Sequence, residues 1–349
     1  MKRPSIVKCN TREETISQIS SLSERSPINN VYLDGPTILS DIPEDLREGG
    51  GNGAIIGIDE AGRGPLLGPM VYCAAFWATL QHSAMEQKGF DDSKALTGEA
   101  RSTLFTKILR ETPELGVCVR VLHASEISRN MFRAGGPYNL NEMSHDAAIH
   151  MICSIRAADV AIERVYVDTV GNEKAYQTKL EQVFQGSGIQ FVVEKKADSK
   201  YVSCSAASIV AKVIRDDLTS NWVWSETGYN PVRDDEKDCP LTYGSGYPSD
   251  QKCKLWLERS LTYPVFCFSD LVRFSWGPAK EAMKNSAIAA YVEWEADDDD
   301  VTEGVLLQTK MSDFTTKDKP GPLKKKRGFQ IFEELGLSIV RSMDDSSSF

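Results

Sequence analysis

Three carboxylate side chains lie where candidate strands end, and they have the chemistry of ligands for a hard metal ion. Asp59 and Glu60 follow the apolar residues 54–58, and Asp168 follows residues 164–167. Ligands of open α/β sheets bind beyond the strand ends, so acids on two neighbouring strands can share one site. Close carboxylates repel each other unless a cation neutralises them, and oxygen ligands favour Mg²⁺ or Mn²⁺ over zinc. Two such ions would support in-line displacement at phosphorus.

The tandem acids run directly into a turn formed by Gly62, Arg63 and Gly64. Glycines let backbone N–H groups approach a ligand closely, and successive N–H groups can bind a phosphate or a hydroxyl. Arg63 can add a charge-assisted contact to phosphate. Each feature also has a plainer explanation, because a strand that ends in Asp often leads into a turn or a helix cap. A glycine-rich turn can likewise do no more than connect two strands.

Residues 57–65 resemble the signature of the type 2 ribonucleases H, and further matches follow in the order of that family. The additional matching segments are Asp92-Ser93-Lys94 and residues 138–146, 167–171, 196–212, 243–248 and 272–276. The resemblance covers roughly residues 54–280 and is strongest for the eukaryotic members, whose catalytic chain works in a heterotrimer. It implies a ribonuclease H-like α/β fold, with a central mixed β-sheet flanked by helices and a helical C-terminal extension.

The resemblance also implies a role for each matching residue. Three acids would ligate two Mg²⁺ or Mn²⁺ ions, and a fourth acid would complete the catalytic site as a ligand or by positioning water. In that order, the four acids are Asp59, Glu60, Asp168 and Asp198. Gly62, Arg63 and Gly64 would contact the ribose 2′-OH and the nearby nucleic-acid backbone. Lys94 would bind a phosphate, and Tyr247 would lie at the junction between ribonucleotide and deoxyribonucleotide.

The family function is metal-dependent cleavage of the RNA strand in RNA–DNA hybrids, and on the 5′ side of single ribonucleotides in duplex DNA. It implies roles in removing misincorporated ribonucleotides and RNA primers in the nucleus, in a complex with two auxiliary subunits. One alternative is a type 1 ribonuclease H, which needs several consecutive ribonucleotides; the Asp59-Glu60 tandem followed by the glycine turn argues against it. A second alternative is a catalytically silent hybrid-binding or scaffolding subunit. The presence of all four acids argues against that interpretation.

The elements that must position these residues follow from hydrophobic patterning. Short apolar runs predict strands, and apolar residues at helical spacing predict helices. The predicted strands cover residues 54–58, 71–78, 115–122, 164–168 and 190–194. The predicted helices cover residues 141–158, 173–184 and 202–218. Strands that alternate with helices indicate an α/β domain.

Five segments are predicted along the chain. The catalytic domain would span residues 54–249, after a lead-in over residues 1–53 in which residues 1–25 form a loose terminus and residues 26–53 are extended. A helical extension would follow over residues 250–292, and then an acidic and polar linker over residues 293–323 that is expected to be disordered. Residues 324–349 contain a basic cluster that resembles a nuclear-import signal, and a short amphipathic segment that we expect to dock on one of the auxiliary subunits.

Composition limits the class of protein in three ways. The net charge of −10 counts against nucleic-acid binding over the whole surface, although four consecutive acids at residues 297–300 supply part of it. The eight cysteines include no C-x-x-C pair, so zinc-finger spacing is absent and a reducing intracellular compartment is expected. No apolar run is long enough to cross a membrane, so no membrane association is predicted.

Overall fold

The computed structural model describes residues 6–22, 36–47, 53–90, 105, 109–133, 138–169, 171–222, 243–261 and 268–285. The chain divides into two compact units, Met1–Ala282 and Met283–Phe349, and the elements below lie in the first apart from the end of the last helix. No helix within the described ranges is long and apolar enough to span a membrane. Lys94 and the segments predicted over 293–349 lie outside the described residues.

A mixed sheet of seven strands organises this part of the chain. The strands are β1 Ile6–Lys8, β2 Thr37–Leu39, β3 Ala54–Ala61, β4 Met70–Ala78, β5 Gly116–Leu122, β6 Ile162–Asp168 and β7 Gln190–Glu194. Their order across the sheet is β1-β2-β5-β4-β3-β6-β7. Strand β3 pairs antiparallel with β4 and parallel with β6, and β7 continues the sheet parallel to β6. The mixed central sheet that was predicted is therefore confirmed.

Helices cover both faces of this sheet. They are α1 Arg12–Ser20, α2 His82–Glu86, α3 Ala124–Phe132, α4 Leu140–Arg156, α5 Glu173–Val183, α6 Val202–Ser220, α7 Gln251–Ser260 and α8 Gly277–Asn285. A 3₁₀ turn, Ala197–Ser199, precedes α6. Side chains of α4 pack with Ile56 and Ile58 in one core, whereas α6 packs with Val71 and Cys73 in the other. Alternate strand residues face opposite sides, so β3 and β4 contribute to both cores and are buried almost throughout.

The N-terminal region differs from the prediction. The loose terminus predicted over residues 1–25 is wrong where β1 and α1 form, and β2 lies inside the predicted extended segment. Thr11 caps α1 by accepting the Glu14 N–H at 3.1 Å, and Ile19 is buried. Strand β2 pairs with β5 and with β1. Three-residue strands are too short for an alternating hydrophobic pattern, so their formation depends on tertiary pairing.

Gly57 sets the distance between β3 and α6. A Cβ atom at this position would lie 2.0 Å from the Ser203 carbonyl carbon and 2.2 Å from the Cys204 nitrogen. Backbone atoms cannot move aside as a flexible side chain can, so only glycine permits this approach. Gly57 lies two residues before Asp59, and the close packing therefore holds α6 against the part of β3 that carries the acids.

Gly57→Ala should lower the free energy of unfolding by about 3 kcal/mol, because the added methyl group overlaps backbone atoms of α6. Denaturant unfolding at equilibrium measures this change. Gly277→Ala is the matched control, since a Cβ at Gly277 has no heavy atom within 4 Å. Equal stabilities of Gly57→Ala and Gly277→Ala would contradict the assigned packing.

Candidate active site

Three aspartates from three different elements converge at one edge of the sheet. Asp59 lies in β3, Asp168 ends β6, and Asp198 lies in the 3₁₀ turn after β7. Strands β3 and β6 are parallel neighbours whose pairing ends at Ile58 and Val167, so the next residue of each strand is an aspartate. One carboxylate oxygen from each aspartate lies within 4.8 Å of the others. The structure thus brings these three predicted site residues together.

The segment after β7 completes this group. Lys196 adopts a left-handed backbone conformation with φ of 57°, which turns the chain sharply before Asp198. The backbone N–H groups of Ala197, Lys196 and Thr169 surround the Asp168 carboxylate and favour its ionised form. The sharp turn therefore both delivers Asp198 and supplies donors to Asp168.

Burial and repulsion between neighbouring carboxylates raise the pKa values of Asp59, Glu60 and Asp168. The pKa of Asp59 is raised to about 7. Burial is the largest cause, and the negative charges of Asp168 and Asp198 add to it. Burial, followed by the charge of Asp59, raises the pKa of Glu60 to about 8, and the Arg63 guanidinium acts in the opposite direction. The pKa of Asp168 is also raised, mainly by burial. A divalent cation would reverse this penalty, because it favours the ionised form of every acid it touches.

The donor set fits a hard divalent metal ion. Asp59, Asp168 and Asp198 offer only carboxylate oxygens, which suit Mg²⁺ or Mn²⁺, and cysteine or histidine ligands are absent from the cluster. Glu60 lies beside this cluster rather than within it. Its side chain lines a narrow pocket with Asp168, and one carboxylate oxygen is 4.0 Å from Arg63 Nη1. Its role as a ligand stays a prediction.

The Arg63 side chain is held by protein groups on α4. Its Nη1 donates to the Ser144 hydroxyl at 2.9 Å, and its Nη2 donates to the Asn141 side-chain oxygen. The Ser144 hydroxyl lies 2.6 Å from the buried Tyr72 hydroxyl, which extends the network to β4. These two contacts use only part of the five guanidinium donors, and the phosphate contact suggested by the sequence stays a prediction. Asn141 and Ser144 belong to the matching segment 138–146, but no sequence pattern pairs them with Arg63.

Two side chains fix the turn at residues 62–64 by donating hydrogen bonds to its carbonyl groups. Arg273 donates to the Gly62 carbonyl at 2.5 Å and to the Arg63 carbonyl at 3.0 Å, and Trp276 Nε1 donates to the Gly64 carbonyl at 3.2 Å. Arg273 is fully buried, and burial lowers its pKa to about 9. Sequence analysis assigned no role to Arg273 or Trp276. An arginine flanked by Val272 and Phe274 is the signal that could have shown a buried cation in need of hydrogen-bond acceptors.

Tyr247 lies next to the same turn. A Cβ atom at Gly64 would be 3.3 Å from Tyr247 Cε1, so the ring covers the glycine backbone. The side chain is 42% exposed. The Arg215 guanidinium carbon is 6.0 Å from the ring centroid, and Arg215 Nη2 donates to the Ser245 carbonyl at 2.9 Å. The turn and the tyrosine, which the sequence predicted to act together, are therefore adjacent.

Comparisons with known proteins agree with this fold. A family model described as ribonuclease HII matches residues 56–279. The chain is 37% identical over 294 residues to a ribonuclease H2 subunit of Rattus norvegicus, covering 83% of this chain and 90% of that protein. It is 40% identical over 295 residues to the corresponding ribonuclease H2 subunit of Caenorhabditis elegans, covering 83% and 94%. Ribonuclease H2 from Pyrococcus horikoshii OT3 matches in structure with a TM-score of 0.52 and 29% identity, covering 66% of this chain and 96% of that chain.

The chain therefore belongs to the ribonuclease HII family. Within that family, the rat and nematode relatives match over most of its length and are the same subunit of ribonuclease H2, so the resemblance found in the sequence to the eukaryotic catalytic subunit is confirmed. Family membership supports ribonuclease activity on RNA–DNA hybrids. A divalent metal ion is the cofactor that both the family and the aspartate cluster support.

Asp59→Asn should stabilise the metal-free protein at pH 8. The folded pKa of Asp59 is about 7 against an ordinary value of 3.8. Between these two pH values, the Asp59 carboxyl is ionised in the unfolded chain but stays protonated in the native chain. The native state therefore loses stability as the pH rises. Removing the charge should recover on the order of 3 kcal/mol at pH 8 and almost nothing near pH 4.

Denaturant unfolding in a chelator, repeated at several pH values, measures this difference. Asp217→Asn serves as the control, because it changes an acid of α6 that is not part of the aspartate cluster. Added Mg²⁺ or Mn²⁺ should stabilise the wild-type chain more than Asp59→Asn. A less stable Asp59→Asn at pH 8 without metal would contradict the assigned repulsion.

Proposed function

We propose that this chain is the catalytic subunit of a metal-dependent endoribonuclease. It cuts the RNA strand of RNA–DNA hybrids, and it cuts on the 5′ side of single ribonucleotides embedded in duplex DNA, leaving 5′-phosphate ends. The single observation that carries this proposal is the position of the aspartate cluster in β3, β6 and the turn after β7, beside the turn at residues 62–64. An acid cluster for phosphate chemistry and a backbone turn for sugar contact then form one site.

Asp59, Glu60 and Asp168 would hold two Mg²⁺ or Mn²⁺ ions, and Asp198 completes the set as a ligand or by positioning the attacking water. Bound ions supply a nucleophile at neutral pH and stabilise the leaving oxygen. The chain itself supplies the fixed arrangement of oxygen donors. Burial of Asp59 supports this assignment, because it keeps competing water away from the carboxylate and strengthens its interaction with a cation.

Recognition of the sugar would use two adjacent elements. The backbone of Gly62, Arg63 and Gly64 contacts the ribose 2′-OH, which is the chemical difference that distinguishes a ribonucleotide in DNA. Tyr247 tests the neighbouring sugar, because its half-exposed ring can stack on a deoxyribose that lacks the hydroxyl. The carbonyl contacts of Arg273 support this role for the turn, since they leave one fixed conformation available to the ligand. Lys94, outside the described residues, is proposed to bind a phosphate.

The rat and nematode relatives are each described as one subunit of ribonuclease H2. On that basis the chain is proposed to work with two auxiliary subunits, with residues 324–349 as a docking segment and Lys324 to Arg327 as a nuclear-import signal. The cellular roles would be removal of misincorporated ribonucleotides and of RNA primers during DNA replication and repair, in the nucleus. The alternative is a hybrid-binding subunit without catalysis. The intact aspartate cluster favours the enzyme.

Asp59→Asn and Asp168→Asn should each lower the rate of hybrid cleavage at least ~10²-fold, the range for loss of one preorganised electrostatic group. The substitutions preserve shape but remove the charge that binds the cation. Cleavage of labelled hybrid by the assembled complex measures the loss, with Asp217→Asn as the control. Asp198→Asn should lose less and recover partly with Mn²⁺. Near-normal cleavage by Asp59→Asn or Asp168→Asn would sink the metal-site proposal and favour the silent subunit.

Tyr247→Ala should cut a duplex with one embedded ribonucleotide at least about tenfold more poorly relative to a long hybrid, because the ring proposed to contact the neighbouring deoxyribose is lost. Tenfold corresponds to about 1.4 kcal/mol, the lower part of the roughly 1–3 kcal/mol that an aromatic ring contributes when it stacks on a base. Tyr247→Phe separates the ring from the hydroxyl. Both substrates are compared by kcat/KM under the same conditions. Leu255→Ala is a control for loss of an exposed apolar side chain on α7. An equal loss on both substrates, or no loss, would remove Tyr247 from junction recognition.

A further inference from the structure

Asp250 lies three residues after Tyr247 and binds the chain on both sides of it. Its Oδ2 accepts the Ser245 backbone N–H and the Ser245 hydroxyl, each at 2.8 Å. Its Oδ1 accepts the Lys252 N–H at 2.9 Å, which caps α7. Its own backbone N–H donates to the Tyr247 carbonyl at 3.0 Å. One residue therefore joins the loop before the tyrosine, the tyrosine itself and the following helix.

The loop around Tyr247 is shaped to receive this carboxylate. Gly244 has φ of 61°, and a Cβ atom there would lie 2.3 Å from Asp250 Oδ2. The carboxylate thus occupies space that only glycine leaves open. Gly246 has φ of 76°, and its carbonyl accepts the N–H groups of Leu66 at 2.9 Å and Leu67 at 3.2 Å. The same loop is therefore attached to the chain that leaves the turn at residues 62–64.

The hydrogen bonds also keep Asp250 in its accepting form. The backbone N–H of Ser245, then its hydroxyl and the Lys252 N–H, hold the pKa of the Asp250 carboxyl below its usual range. Tyr247, by contrast, is 42% exposed. When few neighbouring groups pack against a ring, the orientation of the ring depends mainly on the position of its own backbone. The position of the Tyr247 ring over Gly64 therefore depends on the loop that Asp250 fastens.

We propose that Asp250 is a positioning residue that holds the Tyr247 ring over the turn at residues 62–64 and thereby sets the preference for a single embedded ribonucleotide. This inference rests on the proposed function, in which Tyr247 tests the sugar beside the ribonucleotide. Asp250 itself touches neither substrate nor metal in this assignment. Its effect passes through Ser245 and the Tyr247 backbone.

The competing explanation is that Asp250 only caps α7, and two substitutions separate the roles. Asp250→Asn keeps one oxygen for the cap but places an amide NH₂ opposite the Ser245 N–H, where two donors repel. Asp250→Ser keeps a residue that caps helices well but is too short to reach Ser245. Thr11→Ala is the matched control, because it removes the cap of α1 in another part of the fold.

The experiment compares kcat and KM of the assembled complex on a duplex with one ribonucleotide and on a long hybrid. Asp250→Asn and Asp250→Ser should lower kcat/KM on the single-ribonucleotide duplex about tenfold, as misplacement of a positioning group does, and change hybrid cleavage less than about twofold. Thr11→Ala should leave the ratio between substrates unchanged. Adding Asp250→Asn to Tyr247→Ala should not alter the ratio further, because both changes remove the same interaction.

The outcomes separate this inference from the proposed function. Equal losses on both substrates, or an Asp250→Asn effect that persists in full beside Tyr247→Ala, would overturn the positioning role and leave only the helix cap. An unchanged ratio in both Asp250 variants would overturn it too, provided that Tyr247→Ala lowers the ratio. If Tyr247→Ala leaves the ratio unchanged, the proposed junction recognition fails, and the Asp250 inference fails with it.

Discussion

Repulsion among the carboxylates of Asp59, Asp168 and Asp198 is the constraint on which the rest of this structure depends. The acids belong to three elements that meet only in the folded chain, and burial makes their proximity more unfavourable. Parallel pairing of β3 with β6 places the first two side by side, and the left-handed turn at Lys196 brings the third. Apolar packing on both faces of the sheet supplies the free energy that offsets this repulsion. A cation would convert the same arrangement from unfavourable to favourable.

Two loops of the proposed site are fixed by hydrogen bonds between their own groups and side chains of the protein. Arg273 holds the carbonyls of the turn at residues 62–64, and Asp250 holds the N–H and hydroxyl of Ser245. The Arg63 guanidinium turns towards α4. Backbone groups of a fixed shape can contact sugars and phosphates without reading bases. This suits a protein proposed to recognise one hydroxyl in any base sequence. Loops that are already fixed also lose less conformational entropy when the substrate binds.

Much of the fold follows from local patterns, whereas the support of the site does not. The strand runs before Asp59 and Asp168 and the helical spacing of α4 and α6 are visible in the sequence, because burial on a regular element leaves a periodic signal. Strands β1 and β2 are too short to leave one. The contacts of Arg63 with α4 and of Arg273 with the turn join residues far apart in the chain. No local pattern encodes such a pairing, so only the structure could show it.

The contact between Arg273 and the turn has a consequence for biosynthesis. The Gly62 carbonyl and its Arg273 donor are separated by 211 positions. Synthesis runs from the N-terminus, so β3, β6 and the three aspartates are made before residue 273, and the compact unit that contains them is complete only once Arg273 has been added. The turn at residues 62–64 acquires its Arg273 donor only after all seven strands of the sheet have been made. A polypeptide truncated before Arg273 would retain the three aspartates but would lack the group that fixes the turn, so incomplete products would differ from the finished chain in the turn rather than in their acids.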